Sequence, residues 1–219
     1  MPLPALAAVA GLVAAAHLGR RGSATDLSKE DKKRIVDLVK QGLVSDAWSL
    51  ATELGFDELD LSGADLTGAN LTGANLRYAD LTRTNLTDAN LTSASLTDAV
   101  LTDANLARAN LVDANLSNAN LTDTTLTSAN LTGANLQRAF LASANLTGAN
   151  LTGANLQRAC LASANLTGAD LTGADLTGAY IQEAIGINIG PTRTFIGIPD
   201  RYIKVDSHFV PGRTNLRRI

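Results

Sequence analysis

From Leu61 to Leu176 every fifth residue is leucine, for 24 consecutive units, and Phe56 and Ile181 continue the phase at either end. Two positions before each leucine stands alanine in nearly every unit. Thr84 and Thr124 are the exceptions within the run, and Leu59 holds that place at its start. The residue just before leucine is Asn or Asp in most units, and the two after it are small or polar, as in Thr-Gly, Thr-Asp, Ala-Ser and Gln-Arg. The repeating unit is A-(N/D)-L-x-x. On an α-helix five residues advance about 500°, so the leucines would visit every face and form no stripe. A strand fails too, because five is odd and alternate units would point to opposite faces. The pattern predicts a solenoid in which each unit is a short extended segment followed by a corner. Gly, Asn and Asp at fixed offsets suit corners that need unusual backbone angles, and β-branched Thr after the leucine suits the extended part.

These 24 units resemble the pentapeptide repeat family over about 130 of the 219 positions. The resemblance implies an all-β solenoid, a right-handed quadrilateral β-helix with four pentapeptides per square coil. Its central leucine and the alanine two before it point inward, and the other three positions face out. Leu61, Leu81, Leu101, Leu121, Leu141 and Leu161 then stack as one inward column. From Phe56 to Ile181 there are 26 units, about six and a half coils, or a rod about 30 Å long at the spacing of paired strands. Burying one leucine contributes about 1.5–3 kcal/mol, whereas ordering the backbone costs about 1–2 kcal/mol per residue. Leucine burial alone does not carry a five-residue unit. Hydrogen bonds between coils and bonds from the Asn and Asp side chains must contribute.

The flanks read as covers for the raw ends of the solenoid. Ser28 followed by Glu30 and Asp31 predicts a helix N-cap with acids in the first turn. Ile35, Leu38, Val39 and Leu43 supply its apolar face, and Gly42 its stop. Ser45 is placed as the cap of a second helix carrying Ala47, Trp48, Leu50, Ala51 and Leu54, ended by Gly55. The domain reading is an apolar leader, helical or disordered, at 1–25 and a helical cap at 26–55. The β-helix then occupies 56–185, and a C-terminal capping segment or tail 186–219. Residues 3–18, an apolar run ahead of Arg20 and Arg21, are shorter than the roughly 20 residues that span a bilayer. A packed or disordered leader, a signal or transit peptide and a membrane anchor all stay open for this run.

Charge sharpens the picture. The net of −3 hides a rod at 56–185 with 13 acidic and 5 basic residues, a net of −8, against 7 basic and 6 acidic before it and 6 basic and 2 acidic after it. An acidic body with a basic tail speaks to partners and steering rather than to fold. Cys160 is the one cysteine, so no internal disulfide and no cysteine-based zinc cluster forms. Asn-Leu-Thr or Asn-Leu-Ser occurs at Asn70, Asn85, Asn90, Asn115, Asn120, Asn130, Asn145, Asn150 and Asn165. Each would be a glycan acceptor in a eukaryotic secretory pathway, where so many glycans would disrupt closely stacked coils. A bacterial or cytosolic, cytoplasmic setting is expected, with export or membrane association through residues 1–22 as the alternative.

Candidate chemistry is sparse. The rod holds no histidine to activate its many hydroxyls. Asp98, Asp103, Asp113 and Asp123 resemble a carboxylate array, but a β-face diverges its side chains whereas metal binding needs converging oxygens. The glycines of Leu-Thr-Gly-Ala-Asn open no helix, as a phosphate loop would. The expectation is no enzyme, no cofactor and no metal.

The informative departures lie in the outward position before leucine. With a coil of twenty residues, three vertical columns hold almost only Asn, Asp, Ser or Thr. The fourth reads Asp60, Asp80, Val100, Asn120, Phe140, Cys160, Tyr180. Val100, Phe140, Cys160 and Tyr180 are the candidate interaction ridge, with the last three about 5 Å apart and Ala142 and Ala162 beside them. Contiguous apolar surface marks contacts. Either the C-terminal segment folds over the ridge through Ile185, Phe195 or Tyr202, or the ridge takes a partner or a second copy. Cys160 is expected to be partly exposed. Arg138 and Arg158 stack at a corner on the adjoining face, and they meet an external anion or, as expected, pair with neighbouring acids. The leading function is a rigid acidic scaffold that binds an unidentified protein or itself, with nucleic acid not expected as a partner. The family resemblance offers an alternative, a mimic of duplex DNA that binds gyrase or topoisomerase, though no loop interrupts the coils here. Membrane contact would depend on residues 1–22 acting as an anchor.

Overall fold

Ser28 opens the first helix. Its hydroxyl accepts from the Asp31 amide at 3.1 Å, and Glu30 and Asp31 meet the positive end of the helix dipole. The computed structural model describes residues 27–187; the leader at 1–25 and nearly all of the segment at 186–219, including Phe195 and Tyr202, lie outside the described residues. Helix α1 spans Lys29–Lys40 and helix α2 spans Val44–Glu53. Both helices end in the same motif. Gly42 and Gly55 take φ of +76° and +85°. The residue after each glycine donates its amide back into the last turn, Leu43 to Leu38 O and Phe56 to Ala51 O, both at 2.9 Å.

That ending corrects the expected start of α2. The cap residue is Leu43, without a side-chain cap bond, and Ser45 already lies inside the helix. The chain leaves the α1 terminus and re-enters a helix with Leu43 shared between them, so no residue is left for Ser45 to cap. Leu43 itself is exposed, whereas Ile35, Val39, Val44, Ala47 and Ala51 are buried in one cluster with the first core leucines. Phe56, the residue that closes α2, is also the first in the five-residue phase.

From there the repeat takes over. The residue before each core leucine forms a parallel bridge with the residue twenty further on, from Asp60 with Asp80 to Asn165 with Ile185. Four units therefore make one turn. The leucine amide donates to the turn above, as in Leu81 N to Val100 O at 2.7 Å, and the bridge residue donates to the turn below, as in Val100 N to Ala79 O at 3.0 Å. Each corner is closed by a bond from alanine back to leucine three residues before, such as Ala139 N to Leu136 O at 3.0 Å. Positive φ at the residue between, +59° at Arg138, makes this a type II turn.

The interior is a continuous column of leucine and alanine. Leu61, Leu81, Leu101, Leu121, Leu141 and Leu161 are all fully buried. Thr84 and Thr124, standing where alanine is the rule, are buried too, and their hydroxyls donate to Leu61 O and Leu101 O at 2.8 Å. A buried hydroxyl with a partner costs little.

Candidate interaction surface

The polar letters of the repeat are mostly spent on the fold itself. The Asn or Asp before leucine accepts, through Oδ1, the amide of the residue after leucine, and where that residue is Thr often its hydroxyl as well. At Asn150 and Thr152 the two distances are 3.0 and 2.7 Å; at Asp175 and Thr177 they are 2.9 and 2.6 Å. The bond is local and needs its two partners on either side of leucine, a spacing visible in the sequence and easily read only as loop polarity.

Against that background the fourth column stands out. Val100, Asn120, Phe140, Cys160 and Tyr180 are joined in series by bridges, one per turn. At Phe140–Ala142 and at Cys160–Ala162 the two side-chain members of the bond, the Asn oxygen and the Thr hydroxyl, are replaced together, while the amide after leucine remains. Removing both partners of a hydrogen bond for apolar groups is nearly neutral, whereas removing one leaves an orphan. One turn below Phe140 both Asn120 and Thr122 are present, yet only the Thr122 amide reaches Asn120 Oδ1, and the Thr122 hydroxyl is buried with no partner.

Val100, Phe140 and Tyr180 are half-buried, and Cys160 is only 6% exposed. The thiol is thus more enclosed than expected, because it sits in the column with an aromatic residue on the turn below and another on the turn above. Burial pushes the Cys160 thiol up, with the Ala162 amide acting the other way, and a raised pKa keeps it protonated and unreactive. The Tyr180 hydroxyl donates to Gln182 Oε1.

Beside this column, two residues back at the corner, Arg138 and Arg158 are exposed on successive turns. They do not pair with neighbouring acids as expected: among the described residues neither has an ion-pair partner. The other corner arginines set the contrast. Arg108 makes two bonds to Asp88 at 2.7 and 2.8 Å, and Arg83 approaches Asp103 at 3.7 Å. Above Arg138 stands Arg158, and above Arg158 stands Gly178. Asp175 gives its carboxylate to Gln157, at 2.6 Å, and to Thr177, and these bonds hold its pKa below the ordinary value.

The other candidate carboxylates do not converge. Asp103 and Asp123 share one corner, while Asp98 and Asp113 stand on two others. Among the described residues no group of three or more His, Cys, Asp or Glu is placed to hold a metal ion, and no helix is long and apolar enough to cross a membrane. A groove of about 440 Å³ between α2 and the first turn is lined by Gly42, Trp48 and the Asn70–Asn75 segment.

The twenty-residue turn with inward leucine and alanine has a counterpart among known families. Pentapeptide repeats match in eight copies over 56–88, 84–123, 124–161 and 159–185, more than half of the chain. The chain belongs to the pentapeptide repeat family. As a pentapeptide repeat protein it is a right-handed β-helix, of a family whose members are generally scaffolds, and no catalytic family is indicated. Among solved structures it is similar to HetL, a pentapeptide repeat protein involved in heterocyst differentiation regulation from Nostoc sp. strain PCC 7120, at 40% identity and a TM-score of 0.40 over 57% of this chain and 67% of that one. A pentapeptide repeat protein from Cyanothece 51142 is 34% identical, with a TM-score of 0.24 over 61% and 93%. QnrB1, a plasmid-mediated fluoroquinolone resistance protein, is 23% identical, with a TM-score of 0.31 over 56% and 70%. No curated protein matches.

Proposed function

We propose that this pentapeptide repeat protein is a non-enzymatic scaffold: a rigid acidic rod of about six and a half coils over 56–185 that binds a partner protein through one face. The observation that carries this reading is the fourth column, where Phe140, Cys160 and Tyr180 replace the Asn or Asp whose side chain in most other units accepts the amide two residues on. The helical segment at 26–55 serves as the cap of the N-terminal end. Trp48 Nε1 donates to Asn75 O at 2.8 Å, in the place where a further coil would supply a backbone amide. Lys32 reaches Asp60 and Ser62 at 2.8 and 2.7 Å and ties α1 to the first coil. A cytoplasmic location belongs to this reading. It is supported by the acceptor asparagines, whose side chains are engaged in the coil, as Asn85 is with Thr67 and Thr87.

Affinity capture from the host with wild type and with a Phe140→Asn/Tyr180→Asn variant tests it. Asparagine holds this position on other turns, so the variant keeps the fold. A protein retained by wild type and lost by the variant is the expected result; equal retention sinks the assignment of the face. Light scattering of the same pair shows whether the partner is a second copy. A second reading, the DNA mimic that binds gyrase, draws on the net −8 of the rod and on Asp98, Asp113 and Asp123, which have no ion-pair partner among the described residues. Inhibition of gyrase supercoiling at micromolar protein would favour it, and none at that excess removes it.

A further inference from the structure

Two arginines with no ion-pair partner among the described residues, set beside the apolar column on an acidic rod, define a composite patch. Arg138 and Arg158 rise from successive turns about 4.8 Å apart, with Phe140, Cys160 and Tyr180 alongside. Both guanidiniums are positively charged and repel each other. On the flanking corners Gly133, Gly153, Ser143 and Ser163 are themselves uncharged; the carboxylates that reach those corners, Asp113 beside Gly133 and Glu183 bonded by Ser163, make no ion pair with either arginine among the described residues. Among the described residues the fold answers Arg83 and Arg108 with an aspartate one turn away and leaves this pair unanswered. The pair is open to counter-charge from a partner.

We propose that this patch docks a short acidic segment of a partner protein, extended along the rod axis, with carboxylates alternating with apolar side chains. The proposal rests on the reading of the rod as a protein-binding scaffold and names the partner's chemistry. In an extended chain, residues i and i+2 point the same way about 6.8 Å apart, a spacing that two flexible arginine stems reach by splaying from 4.8 Å. Arginine meets carboxylate through paired, charge-assisted bonds. The residues between then face the apolar column. Length follows from charge: a short segment feels only the local arginines within the roughly 8–10 Å screening length, whereas a long polyanion must also lie along the net −8 rod. Size points the same way. Three turns stand about 14 Å tall, a strip too small for the roughly 800 Å² per partner of a standard protein interface but fitting a peptide.

Fluorescence anisotropy of the full chain with a fluorescein-labelled alternating Glu/Leu peptide tests the proposal. Gln/Leu, Lys/Leu and Glu/Ser peptides serve as controls, and inorganic phosphate as competitor. The Glu/Leu peptide is expected to bind in a salt-sensitive way and at least tenfold more tightly than each control. Affinity should fall at least tenfold in Arg138→Glu/Arg158→Glu and in Phe140→Asn/Tyr180→Asn. Glutamate already occupies a corner of the same φ at Glu183, so charge reversal leaves the fold in place, checked by circular dichroism melting. Equal binding of the Lys/Leu peptide, or indifference to the arginine variant, overturns the proposal. Full competition by phosphate with no effect of the Phe140/Tyr180 change reduces the patch to an anion site and also overturns it. So does a wild-type dimer, lost in the arginine variant, that excludes the peptide. If the peptide fails while a captured protein still depends on Phe140 and Tyr180, the acidic-segment assignment falls and the scaffold stands; if both fail, both fall.

Discussion

Thr122 is a residue out of step with its surroundings. Elsewhere the Thr after leucine commonly gives its hydroxyl to the Asn before it, but the hydroxyl of Thr122 is buried without a partner beside Asn120, itself only 5% exposed. An orphaned buried hydroxyl costs about 1–3 kcal/mol. Thr122→Val keeps the shape and removes the orphan, so it should stabilise the rod by about 1 kcal/mol in guanidinium unfolding; a loss of stability would mean the hydroxyl has found a partner. The sequence shows Thr122 as one more member of its column. Its singularity depends on the turn above, where Phe140 and Ala142 stand, and a five-letter motif carries no record of its vertical neighbours. The enclosure of Cys160 escaped sequence reasoning for the same reason. The opposite case is Arg138 and Arg158: their stacking is legible as soon as the chain is folded modulo twenty. Their lack of a partner is not, because Asp175 is nearby in register yet is held by Gln157 and Thr177.

At the scale of elements, the helices and the first coil are joined by a few directional bonds. Asp60 is the clearest. Burial would raise its pKa, but Lys32 and the hydroxyl and amide of Ser62 more than offset this, and the carboxyl is held below its ordinary value. A carboxyl depressed in the folded state contributes stability that is full above the unfolded value of about 3.9 and is lost as pH falls through the folded value. Asp60→Asn should therefore melt lower than wild type at pH 7 but lose less between pH 7 and 3; an unchanged acid dependence would show that the ion pair adds nothing. At the opposite side of the helical pair, Trp48→Phe removes the indole donor and keeps most of the packing. It should cost about 1 kcal/mol or less and speed amide exchange in the Leu61–Asp80 turn before any other, as read by hydrogen exchange. Both helices were visible in the sequence through Ser28, the glycines and the apolar spacing. The start of α2 was not, because the sharing of Leu43 by two helix ends is a matter of backbone bonds rather than of residue type.

For the whole molecule, regularity is both the source of stability and its point of failure. Each turn rests only on its neighbours, as in other solenoids, so a charge placed in the leucine column breaks contacts above and below at once. Leu121→Asp buries an unpaired carboxylate at a fully enclosed site and should cost more than about 4 kcal/mol, seen as loss of the cooperative melt; an unchanged melt would contradict the inward column. The period of five made the solenoid readable from sequence to an unusual degree, because one letter in five is fixed for 24 units. The outward faces were readable only where they break that rule. The same arithmetic turns length into orientation. Every unit satisfies the same core, so excising residues 146–150 should leave a folded rod one unit shorter. Yet all that follows would swing a quarter turn, parting Arg158, Cys160 and Tyr180 from Arg138 and Phe140. The excised protein should melt cooperatively and bind the Glu/Leu peptide no better than the arginine variant. A rod of this kind changes its reach freely only in whole revolutions; any smaller step re-aims everything beyond it.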